Sequence, residues 1–97
     1  MLETLVRQAI GERRLIEFRL HGLLRIAEPH LYGLHKGVPQ LLVYQVGGES
    51  KSGGLPHWRR IGLQDVSGLK ILEENFRGSR RPAQRPAGWD KILVLVE

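Results

Sequence analysis

Two features of the chain predict a mainly β domain, a small antiparallel β-barrel with one short N-terminal helix and a C-terminal strand. Apolar residues alternate with polar ones along most of its length, and turn dipeptides interrupt that alternation at short intervals. Only the first dozen residues depart from it. Leu2, Leu5, Val6, Ala9 and Ile10 recur at spacings of three and four, which places them on one helical face, with Gly11 as a stop signal. So short a helix needs a surface to pack on.

From Arg14 the period changes to two. Ile16, Phe18 and Leu20 fall on one face of a strand, and Leu15, Glu17 and Arg19 on the other. His21-Gly22 reads as a hairpin turn. Leu24, Ile26 and Glu28 then extend a second strand to Pro29, whose missing N–H suits a strand end or edge. A turn at Lys36-Gly37 leads into "QLLVYQV", the most apolar strand. After the loop "GGESKSGGLP" comes "HWRRIGL" as a fourth strand, "QDVSG" as a turn and "LKIL" as a fifth short strand. Close strands with turns between them favour an antiparallel barrel over parallel βαβ units. Residues 1–75 therefore read as helix plus barrel. Residues 76–97 read as a basic Arg/Pro connector, "RGSRRPAQRPAGW", followed by the strand "KILVLVE". A free apolar strand invites aggregation, so this one is expected to pair with the same domain or with a second copy.

Ninety-seven residues form one domain with a thin core. Lysine and arginine number 15 against 10 acidic residues, a formal charge of +5, which favours a polyanionic partner. There is no cysteine, so thiol nucleophiles, disulfides and thiolate zinc sites are excluded. No apolar run approaches the roughly 20 residues of a membrane span. The opening "MLETLVRQAIGERR" carries acid where a secretory leader carries base, and a cytoplasmic protein without membrane attachment is expected.

Four groups of residues are candidates for chemistry. The Gly/Ser loop lacks the G-x-x-x-x-G-K-[ST] spacing and the following helix of a phosphate loop. It reads either as a hairpin tip or as a rim where Ser50, Lys51 and Ser52 hydrogen-bond anionic oxygens beside Arg59 and Arg60. In "WRR", Trp58 and Arg60 share a strand face and Arg59 points oppositely, so one arginine is expected to face solvent. An arginine on an anion with a base stacked on Tyr32 or Tyr44 would form a pocket for a nucleotide or a short oligonucleotide. His30 lies close to Glu28, which alternation turns inward to orient His30 or an arginine; its structural alternative is a hairpin-edge charge paired with Arg25 or Lys36. The histidines and carboxylates show no three-ligand metal pattern. "SGLK", residues 67 to 70, matches S-x-x-K by coincidence, without the further motifs that signature needs. No nucleophile, base and orienting group converge, so neither catalysis nor a cofactor is expected. Finally, Arg77, Arg80, Arg81 and Arg85 form a charge run, with Arg80 and Arg81 as outer phosphate contacts.

Taken together, "LIEFRLHGLLRIAEPHLYGLHKGVPQLLVYQVGG" and "HWRRIGLQDVSGLKIL" resemble a WYL domain, the bacterial module named for a Trp-Tyr-Leu tripeptide, over roughly residues 5 to 73. "EPHLYGLHKG", "YQVGGESKSG" and "WRRIGL" resemble its small stand-alone members. The resemblance implies a Src-homology-3-like β-barrel that binds nucleic acid or a nucleotide-like effector within bacterial transcription regulation or defence. The tripeptide aligns with Gln40-Leu41-Leu42, so its aromatics are absent. Only a short helix precedes the barrel, and a regulatory role would call for a separate DNA-binding partner protein.

The expectation is a non-catalytic binding or sensing module for nucleic acid or a small anionic ligand. Its site would comprise Arg59, Arg60, Tyr44, Ser50, Lys51, Ser52, His30, Tyr32, Arg80 and Arg81. The alternative is an assembly protein whose helix face and "KILVLVE" strand mediate homo-oligomerisation or partner binding.

Overall fold

The computed structural model describes residues 2–49, 54–80 and 88–97. Among them the chain forms a helix, α1 (Leu2–Glu12), and six strands: β1 (Arg14–Leu20), β2 (Leu23–His35), β3 (Val38–Gly48), β4 (His57–Gly62), β5 (Val66–Asn75) and β6 (Lys91–Leu95). A single 3-10 turn, Leu63–Asp65, links β4 to β5. All pairings are antiparallel, in the order β4-β3-β2-β1-β5, with β6 added to β2. The mainly β expectation with one short helix therefore holds. Strand pairing does not close the sheet: β4 and β5 remain edges.

Both predicted two-residue turns are present, with His21 and Lys36 at φ 52° and Gly22 and Gly37 at 77° and 76°. Two successive positive φ values match the right-handed twist of the strands they join, which is why glycine follows each polar residue. The helix runs one residue past Gly11 and ends where Arg13 adopts φ 54°. Gly11 is thus within the last turn and is not the stop.

The second strand does not end at Pro29. It continues to His35, with Pro29 opposite Val43 of β3 and outside the residues that pair with β1 or β6. Pairing of β2 with β1 stops at Ala27, and pairing with β6 begins at Leu31. His30 is the extra residue of a bulge between Pro29↔Val43 and Leu31↔Leu42. That bulge changes which β2 side chains face the main core, from Ala27 before it to Tyr32 after it.

Val6, Ala9 and Ile10 of the helix meet Ile16, Phe18, Leu41, Val43 and Ile61 of the sheet in that core. The C-terminal strand pairs with β2 of its own chain, Leu31 opposite Leu95 and Gly33 opposite Ile92. Gly33 is required for this approach: a Cβ there would collide with the Lys91 carbonyl oxygen.

Candidate functional site

The sequence-predicted residues separate onto different faces of the sheet. Strand register explains the separation. Val43 lies opposite Arg59 and Tyr44 opposite Trp58, so Arg59 projects with the core-facing side chains and Trp58 away from them.

On the core-facing side, the arginines gather at the end of the sheet. Arg25 is opposite Phe18 in β1 and shares its face, and only 2% of its surface is exposed. Its guanidinium donates from Nη1 to Gln45 Oε1 at 3.3 Å, while its buried Nε has no hydrogen-bond partner. The fully buried Gln45 is held by donating to the carbonyls of Gly47 and Glu49, both at 3.0 Å, which leaves its oxygen for Arg25. Burial pushes the Arg25 guanidinium below its ordinary value, the neighbouring Arg59 charge pushes it further, and Glu49 opposes both.

These side chains border a solvent-open cavity of about 330 Å³ shared by Arg25, Arg59, Arg60, His21, Ile61 and Asp65. Arg60 is exposed and Arg59 half-buried, as strand alternation requires, yet both border the cavity. The β4 edge position explains this, since a cavity opening beyond an edge strand is reached from both of its faces. Three guanidinium groups and one histidine thus meet one carboxylate, Asp65, which makes the cavity an electropositive concavity of small-molecule size.

On the outward face, Glu28, Tyr44 and Trp58 form one cross-strand row over β2, β3 and β4. The Trp58 ring meets Tyr44 edge-on at 5.0 Å and His30 at 4.8 Å, and Phe76 lies 5.1 Å from His30. Glu28 is 4% exposed. Its Oε1 accepts from His30 Nε2 at 3.0 Å and from Arg80 Nε at 2.7 Å, and its Oε2 accepts from an Arg80 terminal nitrogen at 2.8 Å. The Arg80 guanidinium also lies over the Tyr44 ring at 4.3 Å from its centroid.

Burial raises the Glu28 carboxyl, but the hydrogen bonds and charges of Arg80 and His30 outweigh it and hold the group below its ordinary range. Burial likewise lowers His30, more than the Glu28 partnership raises it, so the imidazole is neutral and donates through Nε2. Glu28 is buried and orients both His30 and an arginine, but not by turning toward the main core: Arg25 and Ala27 take that face, and Glu28 is covered on the opposite one. That arginine comes from 52 residues away in the chain and not from neighbouring Arg25.

Among the predicted residues, Arg59 and Arg60 border the cavity, and Tyr44 and His30 line the outward cluster with Arg80. Tyr32 joins neither group; it lies in the core beneath the helix, with Arg7 over its ring. Ser50, Lys51, Ser52 and Arg81 lie outside the described residues. The arginine that sequence reasoning passed over is Arg25. Alternation hid it, because Leu24 and Ile26 mark the other face of the strand as the apolar one, and only the pairing of Arg25 with Phe18 turns it toward the core.

Among the described residues, no three histidine or acidic side chains cluster as metal ligands, and no helix is long and apolar enough to cross a membrane. No protein-family model, curated protein or solved structure matches the chain.

Proposed function

We propose that the protein is a non-catalytic binding module whose arginine-lined cavity takes a phosphate group of a nucleotide, free or within a nucleic-acid strand. The observation that carries this reading is the approach of Arg25 and Arg59 beside an open cavity. Two guanidinium groups on one core-facing surface repel each other, and burial weakens the hydration that would offset the repulsion. An anion in the cavity they border would offset that repulsion, and forked guanidinium donors are shaped to bind one.

The resemblance of the strand motifs to stand-alone WYL domains agrees with this reading; it would imply a Src-homology-3-like architecture, here with β4 and β5 left as edges, and a cytoplasmic role in bacterial transcription regulation or defence. The assembly alternative is less favoured. The apolar side of α1 is buried in the chain's own core, and β6 pairs within the chain.

Fluorescence anisotropy of labelled single-stranded oligonucleotides, competed with mononucleotides and titrated at several salt concentrations, tests the proposal. Arg59→Ala and Arg60→Ala are each expected to lower the slope of log K against log salt by about 0.7, the value for one single-strand phosphate contact. Lys91→Ala, an exposed charge on β6, is the control expected to leave it unchanged. Competition by a mononucleotide would identify a free nucleotide as sufficient. Absence of binding at low salt, or equal losses in all three variants, would refute the cavity as the site.

A further inference from the structure

We propose that Glu28, His30, Tyr44 and Trp58 form a receptor for the guanidinium of an arginine side chain. Arg80 is its occupant within this chain, and an arginine in a partner peptide is its exchangeable occupant. The proposal is independent of the anion cavity, which is bordered by other residues.

The receptor is built on three adjacent strands of the sheet. Glu28, Tyr44 and Trp58 occupy one row across three hydrogen-bonded strands. The bulge at His30 places its ring against Trp58, where its Nε2 hydrogen occupies one site on Glu28 Oε1. Because His30 is neutral, the row carries a single negative charge, matched to a single cation. The remaining carboxylate lone pairs face a planar fork, satisfied at 2.7 and 2.8 Å, and the Tyr44 ring supplies a stacking face at 4.3 Å. Paired oxygens beside an aromatic face select arginine over lysine, whose ammonium is neither planar nor forked.

The occupant differs from the receptor in how it is held. Glu28 is sealed from solvent, with 6% of its side chain exposed, whereas 46% of the Arg80 side chain is exposed. Arg80 also follows β5 on a segment without helix or strand. Its guanidinium can therefore leave toward solvent while the receptor stays assembled. A tethered group of this kind competes at an effective concentration in the millimolar range. The site is thereby hidden from weak ligands and open to a peptide that adds contacts of its own.

The test uses Trp58 fluorescence in a Trp89→Phe background, with acetyl-Gly-Arg-Gly-amide and its lysine counterpart as probes. Arg80→Ala is expected to give a saturable response to the arginine peptide, with Kd lower by about tenfold or more than in the protein retaining Arg80. The lysine peptide is expected to bind about tenfold or more weakly. Adding Glu28→Gln to Arg80→Ala should abolish the response. A folded Arg80→Ala protein without a saturable response, equal binding of the two peptides, or binding that survives Glu28→Gln would overturn the proposal. If Arg80→Ala does not fold, Arg80→Lys keeps a cation without the fork and takes its place. Failure of both to fold, unrelieved by millimolar arginine peptide, would show a purely structural ion pair and equally overturn the proposal.

Discussion

Replacing Glu28 by Gln keeps the shape of the side chain and removes the buried charge on which three hydrogen bonds converge. The bonds run from Arg80 at 2.7 and 2.8 Å and from His30 at 3.0 Å. An amide retains one acceptor, so at least one donor of Arg80 or His30 then faces an NH2 group. Charge-assisted bonds of this kind contribute about 1.5–3 kcal/mol each when buried. The half-exposed Arg80 side must be discounted to roughly the 0–1 kcal/mol of a surface ion pair, since water screens it and rehydrates the guanidinium. A net loss of about 2–3 kcal/mol at neutral pH results. For a domain of this size that corresponds to a melting temperature lower by about 8–24 °C.

Urea denaturation and thermal melts at pH 7 read both quantities. The pH dependence adds a sign. Because Glu28 is depressed in the folded state, its stabilisation is complete above its ordinary value of 4.5 and disappears as pH falls through the lower folded value. Wild type and Glu28→Gln should therefore converge in strong acid. A variant within about 0.5 kcal/mol of wild type at pH 7, the spread of ordinary surface substitutions, would refute the account of the cluster.

Other predictions follow from the same geometry. His30 is neutral in the fold and ordinarily titrates at 6.5, so the unfolded chain binds its proton first and stability should decline as pH falls below 6.5; melts from pH 8 to pH 5 that show no decline would contradict this, and His30→Gln should flatten the change. Gly33→Ala brings a Cβ onto the Lys91 carbonyl oxygen and should cost about 1–3 kcal/mol, with Trp89 fluorescence reporting displacement of β6. Gly11→Ala lies in the helix with open space around its Cβ position, and should stabilise the protein by about 0.5–1 kcal/mol in the same urea titrations.

Much of the secondary structure was legible because its causes are local. Period-two alternation located β1, an apolar run located β3, and His21-Gly22 and Lys36-Gly37 marked turns that the structure contains. Where local signals failed, a neighbouring strand overrode them. Pro29 reads as a strand terminus, yet β3 pairs with β2 on both sides of it and carries the strand on to His35, while the proline falls in the gap between β1 and β6. Gly11 reads as a stop, yet the helix runs one residue further, to Glu12, and ends before the positive φ of Arg13.

The candidate sites divide in the same way. Composition shows a surplus of cations, and alternation shows that Arg59 and Arg60 diverge. All of these are properties of the chain within a few residues. That Arg25 meets Arg59, and that Arg80 returns across 52 residues to cap Glu28, was decided by tertiary structure alone. Strand register and the return of the chain after β5 bring these groups together, and neither leaves a mark in the spacing of the residues concerned. The physical reason is that alternation specifies the face on which a side chain lies, whereas its charged neighbour depends on which strands pair and in what register.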